Sequence, residues 1–546
     1  MRAMPLDELA LALQRALDRL IRRARLGAAP APEPRRRLLI VQIDGLGRSV
    51  LEQALAEGRM PFLSRLLARE GHRMLPMSVG MPTSTPAFQM AMMYGVRPDI
   101  PGFHYHDKRR RADIYFPRGG DAAHVESTQA AGRRGILDGG SAYGCVFTGG
   151  ATDNFFSFAV IKRPSGAGLL RVVSASVVLA WVVVKCVYLT AVEVVRALLR
   201  LVADPVGEAS RGWKWLMLKI GLSVWLRELF TLAASRDLYR GAPAVYVNYL
   251  DYDVFAHAFG PRHRRALRVL RRVDRSIQQL CRVVRRVPGY RYDVYVLSDH
   301  GQVAARPFQE VSGGAPIERA FFEEFFRPAG LHEVAPGTPG GRRLAAGIKA
   351  VRSGRAPGMF QRFVNYLERD FPRLLGGEMP ESYERDGVRV IGAGPNAFVY
   401  FLDTTEPLLL ERVDERHPGL VDDISRSRGV GFVLARSAGG PVCIWRGKRH
   451  MLDGEPPPPF AGREDWPLVS AGLRDLMGMR CAGDLVIYGT DAPEGTVSYV
   501  DEVGAHAGPS RDELQCFVVC PPGSALREPV SHPVELYPHF AAYGAR

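Results

Sequence analysis

Short apolar runs that break off at an acid, a histidine or a glycine recur along this chain. Leu38-Leu39-Ile40-Val41-Gln42-Ile43 runs into Asp44-Gly45. Val245-Tyr246-Val247-Asn248-Tyr249-Leu250 runs into Asp251-Tyr252-Asp253, with His257 four residues further on. Val294-Tyr295-Val296-Leu297 runs into Ser298-Asp299-His300-Gly301. Apolar runs of this length, with little alternation, predict strands buried on both faces, as in a parallel sheet. A polar residue just past such a strand sits at the carboxyl edge of the sheet, where open α/β folds place their chemistry. The expected fold class is α/β: a mostly parallel central sheet flanked by helices, with a helical hydrophobic insert and an α+β cap.

Other stretches carry the helical period. After Met81-Pro82-Thr83-Ser84-Thr85-Pro86, the apolar positions Phe88, Met92 and Met93 recur as on a helix. Thr85 then falls at or near a helix N-terminus, where N–H groups and the dipole favour an anion. The same hydroxyl also suits a plain N-cap. Between Arg262 and Arg286, ten arginines alternate with Leu267, Leu270, Val273, Ile277 and Leu280. That pattern predicts an amphipathic surface helix.

Two interruptions divide the strand-then-acid pattern. Val172 to Val184 is uncharged, Lys185 intervenes, and Cys186 to Val192 is apolar again. Trp213 to Phe230 mixes Trp213, Trp215 and Trp225 with Lys214, Lys219 and Arg227. A spanning helix wants about twenty apolar residues, so residues 166–235 are expected as a helical insert docked at a membrane surface or an apolar face. Residues 311–480 predict a cap with strands at Asn396–Asp403, Gly431–Leu434 and Cys443–Arg446, and helices around 360–375 and 405–425. The expected division is an amphipathic helix and Ala/Pro linker (1–35), core segments at 36–165, 236–310 and 481–546, the insert (166–235) and the cap (311–480).

Composition refines this picture. The 546 residues are 47% hydrophobic, ample for a large core. Net charge is +15, with much of the excess on the arginine-rich helix. That charge would attract an anionic membrane surface. No aromatic interleaving marks a nucleic-acid platform. Seven scattered cysteines, an odd number without a Cys-x-x-Cys pair, predict reduced thiols. Residues 1–27 lack the apolar core of a signal peptide, so the expected location is the cytoplasm or the cytoplasmic face of a membrane.

Seven residues then stand out as one constellation: Asp44, Thr85, Asp253, His257, Asp299, His300 and His506. Asp253 and His257 are four apart, which places carboxylate and imidazole on one helical face; such a pair suits zinc. Asp251 competes for that role but lacks the spacing. Adjacent Asp299 and His300 can reach one ion only if the backbone bends sharply, which Gly301 permits. His506 lies between Gly504 and Gly508.

These motifs resemble the alkaline phosphatase superfamily, and most of all its type I phosphodiesterase/nucleotide pyrophosphatase branch. Thr85 stands ten residues before Gly95, with Pro98 and Gly102 in register. The resemblance covers roughly 36–165, 236–305 and 480–525. It implies two divalent metals, zinc with manganese as substitute. Asp253, His257 and His506 would hold one, and Asp44, Thr85, Asp299 and His300 the other. Thr85 would be the nucleophile of a phosphate-ester hydrolase working through a phosphothreonine intermediate. That branch commonly carries an Asn three residues after the nucleophile; here Phe88 stands there and Gln89 follows, offering a substitute substrate-binding amide. The Cys/Ser-x-Pro-x-Arg nucleophile motif of sulfatases is absent. The same residues would serve a phosphomonoesterase or a phospholipid-headgroup phosphotransferase. A noncatalytic membrane-associated scaffold is the reading from another class, and the intact ligand set argues against it.

Overall fold

A computed structural model describes residues 36–155, 183–195, 198, 220–287, 290–326 and 383–544. The expected helix at 1–27, the linker at 28–34 and the helix around 360–375 lie outside the described residues.

The central sheet takes its strands from distant parts of the chain: β1 (Arg36–Ile43), β2 (Arg73–Ser78), β3 (Ser141–Tyr143), β4 (Asp153–Phe155), β5 (Ala244–Tyr249) and β6 (Arg291–Leu297). The last strand, Gln515–Cys520, is called β14 below because seven strands of a second sheet precede it. The order is β2-β14-β6-β1-β5-β3-β4. Strands β6, β1, β5, β3 and β4 run parallel, while β14 pairs antiparallel with both β6 and β2. Six of the seven strands therefore run the same way, as expected of a mostly parallel sheet, and β14, second from one edge, makes it a mixed one.

Residue alternation on β1 serves both faces. Leu39, Val41 and Ile43 pack with the helices α1 (Arg48–Ala56) and α2 (Pro61–Arg69). Leu38 and Ile40 pack on the other side with α3 (Thr85–Tyr94). Gly95 closes α3 at φ 65°, the left-handed conformation that favours glycine at a helix end. Helices α4 (Arg227–Arg240), α5 (Asp251–Phe259) and α6 (Arg264–Arg286) follow. On α6, Leu267, Leu270, Val273, Ile277 and Leu280 are all buried, as the period requires.

The second sheet is antiparallel throughout. Its strands are β7 (Tyr383–Arg385), β8 (Val388–Gly392), β9 (Asn396–Phe401), β10 (Phe432–Ser437), β11 (Gly440–Trp445), β12 (Lys448–Met451) and β13 (Leu485–Tyr488), in the order β7-β8-β9-β13-β10-β11-β12. β13 was expected in the last core segment. It lies instead in the middle of the second sheet, because only it bridges β9 and β10. The expected helical stretch at 405–425 resolves into two short helices, Leu410–Arg416 and Leu420–Ile424. Phe398, Tyr400, Leu434, Val486 and Tyr488 share one apolar core with Leu38 and Ile40 of the central sheet.

A hairpin, His104–Asp107 with Ala112–Tyr115, ties the two sheets together. Lys108 at its turn is buried and reaches both carboxylate oxygens of Asp484, 3.1 and 3.0 Å away. Asp484 also accepts the backbone N–H groups of Phe401 and Leu408. All seven cysteines are buried.

Within the insert, residues 183–195 are helical. Lys185 pairs with Glu228 of α4 at 2.6 Å, and Glu193 pairs with Arg272 of α6. Trp225 donates its indole N–H to Thr190 Oγ1 at 3.1 Å. Among the described residues no helix is long and apolar enough to cross a membrane.

Candidate active site

Adjacent parallel strands β6, β1 and β5 deliver the acids. Asp44 follows β1 directly, Asp299 stands two residues beyond β6, and Asp253 lies in the first turn of α5 just after β5. Close backbone approach makes the meeting possible. Gly45 adopts φ 72°, and a Cβ there would stand 2.5 Å from Asp253 Oδ1. At Gly301 a Cβ would meet the carbonyl oxygen of Asp512 at 1.8 Å, so no larger residue fits the turn after His300.

Thr85 is the first residue of α3, and its Oγ1 lies 3.4 Å from Asp44 Oδ1 and 3.2 Å from His300 Nε2. One ligand atom from each of Asp44, Asp299 and His300 falls within 4.8 Å of the others. A second trio of the same tightness is Asp253, His300 and His506. His257 joins that side, with Nε2 3.3 Å from Asp253 Oδ2 and its ring 5.0 Å from that of His506. The structure therefore brings together all seven residues singled out in the sequence. It departs from the expected partition in one respect: His300 takes part in both trios.

Gln89 is not brought to this cluster as a free donor. Its Nε2 donates to Gln42 Oε1 at 3.2 Å and its Oε1 accepts the N–H of Val146 at 2.8 Å, so both ends of the amide serve the core. Phe88, in the place of the expected Asn, is buried. Asp251 is removed from the competition by a buried ion pair with Arg227 at 3.0 Å. Of the neighbouring hydroxyls, Thr83 Oγ1 donates to the Gly508 carbonyl and accepts from Ala507 N.

Several supporting residues escaped the sequence reading. Asn248 Nδ2 donates to Asp44 Oδ2 at 2.6 Å. Gln302 Nε2 donates to Asp253 Oδ1 at 2.6 Å. His257 Nδ1 lies 2.8 Å from the Gly504 carbonyl oxygen and 2.7 Å from Glu502 Oε2. His506 Nδ1 lies 2.8 Å from the Thr83 carbonyl oxygen. An amide inside an apolar strand was the available signal for Asn248; nothing local distinguished Glu502 from other loop acids.

Electrostatics in the cluster follow from crowding. Burial, then the charges of Asp299 and Asp253, push the Asp44 carboxyl well above its usual range. Burial pushes Asp299 up to about 7. Asp253 goes the other way: burial opposes ionisation, but His257 beside it outweighs that and holds the carboxyl well below its usual range. Burial lowers His300 to about 4, and burial with the neighbouring His300 and His257 lowers His506 to about 3. Those two rings are neutral, with lone pairs available. Asp299 Oδ2 is buried without a hydrogen-bond donor. Clustered acids, neutral imidazoles and an unsatisfied carboxylate oxygen fit a site for divalent cations.

Three comparisons with known proteins bear on this site. The family model for type I phosphodiesterase/nucleotide pyrophosphatase matches residues 206–348. That span holds Asp253, His257, Asp299 and His300, while Asp44, Thr85 and His506 lie outside it. Among solved structures, phosphonoacetate hydrolase from Sinorhizobium meliloti 1021 is similar in its complexes with phosphonoformate and with phosphonoacetate. Each aligns over 94% of this chain and 97% of that one, at 14% identity and a TM-score of 0.45. No curated protein matches the chain by sequence.

Proposed function

We propose that this chain is a metal-dependent phosphoric ester hydrolase, resembling the type I phosphodiesterase/nucleotide pyrophosphatase branch of the alkaline phosphatase superfamily. The family match over residues 206–348 supports the resemblance. The observation that carries the reading is Thr85 Oγ1, set at a helix N-terminus within 3.4 Å of both an acid and an imidazole of the cluster.

Asp44, Asp299 and His300 would hold one divalent ion, with Thr85 beside it. Asp253, His257 and His506 would hold the other, with His300 between the two groups. Zinc suits this mixed set of acids and imidazoles, and manganese can replace it. When bound, the ions supply charge that makes a Thr alkoxide accessible and offsets charge on the leaving oxygen.

The chain's own residues do the rest. Thr85 Oγ forms the bond to phosphorus as the ester P–O bond breaks, and the leaving oxygen departs as an alcohol. Water then cleaves the phosphothreonine and restores the hydroxyl. At the start of α3, Pro86 has no N–H and that of Phe88 is bonded to the Ser84 carbonyl, so the backbone N–H groups of Thr85 and Ala87 would take the part expected of Gln89. Asn248 and Gln302 hold Asp44 and Asp253 in orientation.

The test is a panel of para-nitrophenyl phosphate mono- and diesters assayed after chelation, then with Zn²⁺ or Mn²⁺ restored. We expect metal-restored hydrolysis, strongest on a diester. No turnover of any ester with either ion would overturn the reading. Preference for a monoester would select the phosphomonoesterase instead.

A further inference from the structure

The helix at 183–195 is amphipathic in the wrong sense for a soluble surface. Its charged and polar groups turn inward. Glu193 and Cys186 are buried, Lys185 pairs with Glu228, and Thr190 accepts from Trp225. Its apolar groups turn outward: Val183, Val184, Val187, Tyr188 and Val195 are between 40% and 67% exposed. At 3.6 residues per turn these five positions fall within an arc of about 140°. The outward face is thus continuous, and the Tyr188 hydroxyl is its only polar side-chain group among the five. Contiguous apolar surface of this kind marks an interaction site.

We propose that this face lies on an anionic lipid surface, with the helix in the membrane plane. Lys185, Thr190 and Glu193 on the opposite side are all bonded to the body of the protein, which lays the helix along that body rather than across a bilayer. Charge points to the lipid. Alongside, α6 presents Arg264, Arg268, Arg271 and Arg275 at i, i+4, i+7 and i+11, all exposed. Arg272, one position round from that stripe, is the residue that grips Glu193. The helix that carries the apolar face is therefore pinned to α6, whose solvent side carries these arginines. Apolar side chains beside a basic stripe are the composition of interfacial helices. A second copy of this chain would set two arginine-bearing sides together, like charge beside like charge, in a molecule already at +15. A partner protein held specifically would be expected to find more hydrogen-bonding groups than one tyrosine hydroxyl.

Flotation of the full chain with phosphatidylcholine vesicles, with and without phosphatidylglycerol, tests this. The chain should float with the phosphatidylglycerol vesicles, less so at high salt. Val187→Glu with Tyr188→Glu should reduce the bound fraction at least about tenfold. Both positions are exposed, so far-UV circular dichroism and the melting temperature should stay as in the parent. Arg271→Glu with Arg275→Glu should weaken binding to the anionic vesicles by roughly fivefold or more per cation. Failure of the parent to float with either vesicle would overturn the proposal, as would equal flotation of the Val187/Tyr188 variant. Light scattering that gave a dimer without lipid, broken by that variant, would assign the face to a second copy instead.

Discussion

The imidazole of His300 lies flat on that of His506, ring centroids 3.8 Å apart and planes 18° from parallel. Both rings are pushed toward the neutral form, chiefly by burial, so the stack carries no mutual charge repulsion. His300 reaches Thr85 with Nε2 and belongs to both ligand trios. It is the residue through which the two halves of the cluster touch, and the roles of its neighbours can be separated by substitution.

Thr85→Ala should lose phosphoryl transfer by at least about a thousandfold while retaining both metals, because it deletes the nucleophile and leaves the acids and imidazoles in place. Thr85→Ser keeps an attacking hydroxyl and should fall much less. Steady-state kinetics with metal analysis of the same samples decides this. Near-parental turnover by the Ala variant would move the nucleophile to a neighbouring hydroxyl.

Glu502 stands 2.7 Å behind His257 and holds the ring with Nε2 turned to Asp253. Carboxylates placed behind metal-bound histidines fix orientation and raise ligand basicity. Glu502→Gln should weaken zinc retention by about ten- to a hundredfold. Competition with a chromophoric chelator measures this without reference to turnover. Equal retention in parent and variant would show that the Gly504 carbonyl orients His257 alone.

His104 is buried with both ring nitrogens unbonded, and burial lowers its pKa from 6.5 to about 4. The sign follows: at neutral pH neither state carries the proton. As pH falls through 6.5 the unfolded chain takes up a proton that the folded one refuses until about pH 4. Stability therefore declines across that window, by about 3 kcal/mol for this residue. His104→Phe should flatten that part of the stability–pH curve and cost little at pH 7, since it removes an unsatisfied polar group. Urea titrations from pH 7 to pH 4 provide the comparison.

Lys108→Met leaves Asp484 buried without its cation and should cost about 3–5 kcal/mol. Adding Asp484→Asn should recover part of that loss, because the neutral amide no longer needs the ammonium. Recovery would identify the lost stability with unpaired charge; none would identify it with the Phe401 and Leu408 N–H groups that Asp484 also accepts.

Much of the site was legible because each ligand follows a strand or opens a helix, and those places show in the hydrophobic pattern. Asp44, Asp253, Asp299 and His300 owe their place to the strand or helix each one follows or opens, so local sequence sufficed to find them, though not the Asn248 and Gln302 side chains that orient two of them. Gln89 shows the limit. Whether an amide faces substrate or core depends on Gln42, across the sheet, and spacing along the chain says nothing about that. β13 was misplaced for a similar reason, since an apolar run does not declare which sheet it will complete. The insert was visible as an apolar block, but the direction of its apolar face depends on Glu228 and Arg272, which meet it from elsewhere.

The two sheets close late in the order in which the chain is made. β9 and β10 have no bond to one another until β13 arrives, and β2 waits at its edge for β14. A nascent chain halted before residue 485 therefore holds a split second sheet and a bare edge strand on the first. Until residues 485–520 have left the ribosome, those unpaired strand edges are open to wrong partners. β13 and β14 thus act as a fastener for the strands made before them. Stop codons placed before β14 should yield aggregated rather than partially active protein.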